Sequence, residues 1–234
     1  MTPTSRGLTD RSTLVVALRT VVLLAGISAE AWNLVTVAGE GDRISEHLGY
    51  FTVQSNVLVL GVVVWMLLRP DGRPRWFDAL RGATTAYIVL TGLVWAVLLA
   101  SPEEALGFTV EYPSFVQHRL IPVLMALDWL LVPTARPLRV GRCIPAWMAY
   151  PIAYLAISWV RGGLLDGWIP YPFLDPAVHG GVGGLVVPTG QVLLAFVVGI
   201  ALVAIVGRAR WRPREGLERP APRIGSSNPH ASGT

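Results

Sequence analysis

Lysine is absent from the 234 residues, and all 19 basic side chains are arginine. Charge of any kind is scarce: Asp, Glu, Lys and Arg make up 15% of the chain, against about 25% in ordinary soluble domains. A single cysteine, Cys143, excludes an intramolecular disulfide and a cysteine-based zinc or iron–sulfur centre. No stretch alternates polar and apolar residues as a barrel strand would, which leaves helices as the element able to cross lipid. What the chain has in excess is apolar surface, at 53% of residues. The net charge of +4 does not point to nucleic acid, because the arginines flank apolar runs and so suit lipid head groups. Arginine in place of lysine, with abundant Ala, Val and Gly, has the compositional bias of a high-GC bacterial genome.

Six runs approach the roughly 20 apolar residues that a span requires. They lie at about 12–36, 48–68, 78–100, 115–133, 146–165 and 189–207. The expected fold class is therefore all-α: a polytopic membrane bundle of six transmembrane helices. Arg6 and Arg11 precede the first run as in a signal peptide, but Arg19 interrupts it and "WNLVTV" carries it past the small-residue site, so it is read as retained. Arginines cluster before run one, between runs two and three, between four and five, and after run six; the other three connections hold only Arg43 and Arg161. That alternation places both termini in the cytoplasm of a multi-pass plasma-membrane protein. Residues 1–208 form the membrane domain. The Arg-, Pro- and Ser-rich residues 209–234 read as a disordered basic cytoplasmic tail.

The second run opens on "YFTVQSN", and its polar residues are not scattered. Thr52, Ser55 and Asn56 stand at i, i+3 and i+4 and share one helix face, with Gln54 nearly opposite. His118 lies at the same expected depth on run four, about one turn below the extracytoplasmic surface. Glu30 and Asn33 form an i, i+3 pair on run one, and Arg161 and Asp166 end run five. Taken alone, Thr52 reads as a hydroxyl bonding back to its own helix and Asn56 as helix glue. An intramembrane histidine carries more weight as a functional group. Asp128, about 15 Å deeper, fits a buried helix-to-helix bond. Arg119 suits an outer acid or a snorkelling role. Trp65, Trp129 and Trp168 suit interfacial anchoring, and Tyr171, Pro172 and Phe173 could seal an outer mouth. His47, His118 and His179 fall on one side but match no zinc spacing, so no metal and no cofactor is expected.

Three separated segments, "YFTVQSN", "QHRLIPVLMALDWLLVP" and "YPIAYLAISWVRGGLLDGWIPYPFLDP", resemble the bacterial six-span family called Pr-six-Pr. That family is more remotely similar to the animal androgen-induced membrane proteins, which hydrolyse fatty acid esters of hydroxy fatty acids. The shared pattern is a Thr near the outer start of a span, a His four residues before a Pro, and a W-x-YPFL element. Here these are Thr52, His118 with Pro122, and Trp168 to Leu174, and the likeness covers about residues 12–205. The resemblance implies a Thr52 nucleophile with His118 as base. In that chemistry Asn56 or Ser55 could donate to the oxyanion and Trp168, Tyr171, Pro172 and Phe173 could form the substrate mouth; the sequence identifies no third member to orient His118, for which Glu30 and Asp166 are the candidates. Membrane lipids are the expected partners and a lipid ester the expected substrate, with no nucleic acid. Two other readings stand beside it: a small-solute or proton-coupled transporter using Glu30, His118, Arg119 and Asp128, and a non-catalytic structural membrane protein.

Overall fold

Residues 9–70, 73–101, 104 and 111–211 are described by the computed structural model, and every regular element in them is helical. The helices are α1 (Thr13–Glu40), α2 (Ile44–His47), α3 (Phe51–Leu68), α4 (Phe77–Val94), α5 (Tyr112–Phe115), α6 (Ile121–Leu131), α7 (Val140–Val160) and α8 (Val186–Ala209). Five helical stretches are long and apolar enough to cross a membrane: Thr13–Glu40, Phe51–Leu68, Phe77–Leu99, Val140–Leu165 and Val182–Ala209. Large apolar side chains such as Leu24, Val35, Val187 and Leu202 are exposed along them, the surface a lipid-facing bundle presents. The chain is a membrane-embedded helical bundle.

The fourth expected run is helical but not a single α-helix. α5 passes through a π turn at Val116–Leu120 directly into α6. The cause is Pro122, which has no N–H to give the carbonyl of His118 four residues back. The turn widens, and the Ile121 N–H reaches the Val116 carbonyl instead. The run at 146–165 begins earlier than expected, at Val140, and the tail residues 212–234 fall outside the described residues. α1 ends on Gly41 at φ 78°, where its N–H and that of Asp42 bond back to Ala38 and Val37 and close the helix.

α4 is the central helix, packed against α3, α6 and α8; α1 lies against α3 and α6, and α7 against α8. Two apolar cores result. One joins α1, α3, α4 and α6 through Val22, Val59, Ile88, Ile121 and Met125. The other gathers α4, α7 and α8 around Phe51, Tyr87, Trp147 and Phe196. Pro151 in α7 frees the Trp147 carbonyl, and the Tyr87 hydroxyl donates to it at 2.6 Å. A missing backbone donor is thus replaced by a side chain from α4.

At the end of the bundle holding the starts of α1 and α4, charge is buried. Asp128 of α6 accepts from Arg19 Nε of α1 at 2.7 Å and from Arg81 Nη1 of α4 at 3.2 Å. Arg81 also donates to the Val132 carbonyl at 2.6 Å and lies over the Trp129 ring at 4.6 Å. Arg19 continues to Asp10 at 2.8 Å, and Arg73 joins Asp10 to Asp78, the latter at 3.0 Å. Asp78 in turn accepts the Ala135 N–H at 2.7 Å. Arg73 and Arg81 are therefore committed to carboxylates inside the protein, where the sequence suggested basic loop residues free for lipid. Breaking one member leaves its partner as an uncompensated buried charge.

Asp128→Ala is accordingly expected to destabilise the bundle by about 3–5 kcal/mol, read from thermal unfolding in detergent; a loss below about 1 kcal/mol, the scale of an exposed pair, would contradict a buried network. Acid should open the Asp10 contact. Burial raises that carboxyl, but Arg73 and Arg19 outweigh it and hold the folded value below the ordinary 3.8. Its contribution is then complete above that value and lost as pH falls through the lower folded one. An Asp10→Asn variant should match the wild type in stability at the acid end, fall behind it as pH rises from the lower folded value toward 3.8, and keep a constant deficit above that.

Candidate functional site

A helix start leaves its first N–H groups without intrahelical partners. Tyr50 precedes α3 in extended conformation and supplies no side-chain cap. Two distant phenols do so instead. The Phe51 N–H donates to the Tyr154 hydroxyl of α7 at 3.1 Å, and the Thr52 N–H to the Tyr171 hydroxyl at 3.4 Å. Tyr154 passes its own proton to the Gly49 carbonyl at 3.0 Å.

This placement decides what the Thr52 hydroxyl does. Thr20, Thr85 and Thr91, all within helices, bond to the carbonyl four residues back at 2.8–2.9 Å. For Thr52 that carbonyl belongs to Leu48, ahead of the helix, and it accepts the Gln54 side chain at 3.0 Å. Thr52 Oγ1 lies 3.4 Å from His118 Nε2. Such contacts are often long in ligand-free sites and tighten around substrate.

The histidine is held in the tautomer a base requires. His118 Nδ1 faces the Ser114 carbonyl at 3.1 Å and the Ser114 hydroxyl at 3.3 Å. A carbonyl only accepts, so the neutral ring carries its proton on Nδ1 and presents the Nε2 lone pair to Thr52. Trp95 stacks on the imidazole at 4.9 Å and 16°, and the Arg119 guanidinium lies 5.3 Å from the same indole. Arg119 also donates to the Glu104 carbonyl. Both His118 and Trp95 sit on π turns, Val116–Leu120 and Trp95–Leu99, a local geometry enriched at functional sites. α4 approaches this turn at Gly92, where a Cβ would stand 2.6 Å from the His118 carbonyl oxygen.

The other expected site residues divide. Glu30 does not orient His118: it bonds His47 at 2.7 Å and accepts from Gln117 at 2.9 Å, with Asn33 donating to Gln117 at 3.3 Å. Asp166 is likewise elsewhere. Arg161 donates to it at 2.5 and 3.2 Å and holds its carboxyl below the usual carboxylate range. The ring is oriented by Ser114, one helical turn before it, a spacing present in the sequence at i, i+4. Asn56 is spent on the Thr52 carbonyl at 2.9 Å, and Ser55 Oγ is buried with no partner among the described residues. With His47 on Glu30, the described residues hold no group of three His, Cys, Asp or Glu placed to bind a metal.

Thr52 opens on a cavity of about 60 Å³ between α3, α4, α7 and α8. Its walls are mostly apolar, among them Leu155, Leu193 and Phe196, and Thr52, Tyr171 and Thr189 are among the hydroxyl-bearing residues that line it. Thr189 Oγ1 is buried with no partner among the described residues. Tyr171 and Phe173 of the expected mouth line this cavity and stack on each other at 5.1 Å and 6°. Trp168 lines a separate pocket with Gln54, Tyr150 and Ser158, packed edge-on against Tyr50 at 5.4 Å beneath the Arg161 guanidinium at 4.3 Å. Pro172 begins the short turn Pro172–Leu174 and is exposed.

Comparison with protein-family models, with curated proteins and with solved structures finds no match for the chain.

Gly92→Ala drives a methyl against backbone instead of a flexible side-chain end. It should cost about 1–3 kcal/mol, the scale of overpacking, measured by thermal unfolding. An unchanged melting point would mean that α4 and the His118 turn separate freely.

Proposed function

We propose that the chain is a six-span membrane protein of the Pr-six-Pr kind, with both termini cytoplasmic, that hydrolyses a lipid ester near the outer leaflet of the plasma membrane. Thr52 is the nucleophile and His118 its base. The observation that carries this reading is the Thr52 hydroxyl aimed at the unprotonated imidazole nitrogen at 3.4 Å instead of at its own helix. An apolar cavity lined in part by Thr52 supports a chain-bearing substrate.

The chemistry follows from these atoms. His118 Nε2 takes the Thr52 proton as Oγ1 attacks the ester carbonyl. The tetrahedral oxyanion collapses, the bond to the alcohol oxygen breaks, and His118 returns its proton to the departing alkoxide. Water then gives up a proton to His118 and attacks the acyl-threonine. The carboxylic acid leaves, and Oγ1 recovers its proton. No cofactor enters the balance.

In detergent, hydrolysis of a hydroxy-fatty-acid ester by Thr52→Ala or His118→Ala should fall about 10²–10⁴-fold below wild type, with melting points retained. Equal rates for all three proteins would overturn the reading. For topology, cysteines placed at Glu46 and Arg136 in a Cys143→Ser background should differ: an impermeant thiol reagent on intact cells labels only the first. Labelling of the second alone would reverse the orientation.

A further inference from the structure

We infer that the Tyr171 hydroxyl is the oxyanion donor of this site, an assignment that rests on the hydrolase reading above. The developing oxyanion forms on the carbonyl that Thr52 Oγ1 attacks, so its donor must lie beside Thr52 and face the cavity. Neither Asn56, one of whose two amide N–H groups is held by the Thr52 carbonyl, nor Ser55 lines the cavity. Tyr171 satisfies both conditions. It lines the cavity, and its oxygen takes the Thr52 N–H at 3.4 Å.

Accepting from Thr52 uses a lone pair of the phenol oxygen and leaves its proton free to turn toward the cavity. Tyr154, the other phenol capping α3, has given its proton to the Gly49 carbonyl and cannot do the same. The Tyr171 ring is fixed by the flat stack on Phe173 and an edge contact with Tyr50 at 5.7 Å, so the donor is in place before substrate arrives. As Oγ1 bonds to the carbonyl carbon, the π pair moves to the carbonyl oxygen and the phenol O–H hydrogen-bonds it. When the pair returns and the alkoxide leaves, Tyr171 retains its proton.

The test uses the full chain in detergent with 4-nitrophenyl dodecanoate. Tyr171→Phe should lower kcat about 10²-fold while KM stays within about threefold, the mark of an interaction made only in the transition state. Tyr154→Phe removes the matching helix cap without a cavity-facing donor, and should keep kcat within about fivefold of wild type. A Tyr171→Phe kcat within about threefold of wild type overturns the assignment. So does an equal loss in Tyr154→Phe, which would mark both phenols as caps alone. If Tyr171→Phe does not fold, 3-fluorotyrosine installed at position 171 keeps ring and hydroxyl with a more acidic phenol. The alkaline limb of the kcat–pH profile should then move to lower pH, because an ionised phenol cannot donate; an unmoved limb overturns the assignment. Wild-type rates in Thr52→Ala would instead bring down the hydrolase reading.

Discussion

Three guanidiniums and three carboxylates meet at one end of the bundle, and they can be buried there only because they are neutral as a set. In a dry interior a single uncompensated charge costs several kcal/mol, so each member fixes where the others must be. Asp128 is the pivot, bound by Arg19 from α1 and Arg81 from α4. Those contacts set the axial register of three helices at once. His118 lies about 15 Å along the same helical run from Asp128. The network at one end therefore determines the level at which the imidazole arrives at the other, although no atom of it touches the site.

The site itself is built from backbone defects put to use. Pro122 denies the His118 carbonyl its helical partner, and the resulting π turn rotates the imidazole relative to a regular helix. Gly92 lets α4 close on that turn, bringing Trp95, on a π turn of its own, flat against the ring. At the start of α3 the unpaired N–H groups recruit Tyr154 and Tyr171, which places two phenols beside Thr52. Each unsatisfied group in lipid needs an internal partner, and here two phenols from distant parts of the chain supply it.

Much of this was legible in the sequence, for reasons of periodicity and depth. The i, i+3, i+4 stripe put Thr52, Ser55 and Asn56 on one face, and span counting put His118 at their level; the two side chains do meet. Helix ends were less legible: α7 starts at Val140 despite its early proline, and the π turns leave no hydropathy signal. The charge network was opaque because its members are far apart, with Arg19 and Asp128 separated by 109 positions. Nothing local distinguishes an arginine bound for a buried carboxylate from one bound for a lipid phosphate. The partner of His118 Nδ1 was not identifiable from the sequence, where Glu30 and Asp166 were only candidates; a backbone carbonyl one turn away faces it, and a carbonyl leaves no residue-type signal. Tyr171 could be placed at the mouth by its loop, but its role as a cap on α3 needed the third dimension.

A path for solutes or protons needs polar groups that continue from one face to the other. Here the polar residues gather at two levels. Thr52, His118 and Glu30 lie at one, and the Asp128 network at the other. Between them Val22, Val59, Ile88, Ile121 and Met125 are fully buried against one another and form an apolar layer. On α4, Thr85 and Thr91 have turned their hydroxyls back to their own helix, while the buried Thr84 hydroxyl has no partner among the described residues. An apolar layer of this kind is compatible with the ester hydrolysis proposed for Thr52 and His118, in which water would be needed only on the Thr52 side.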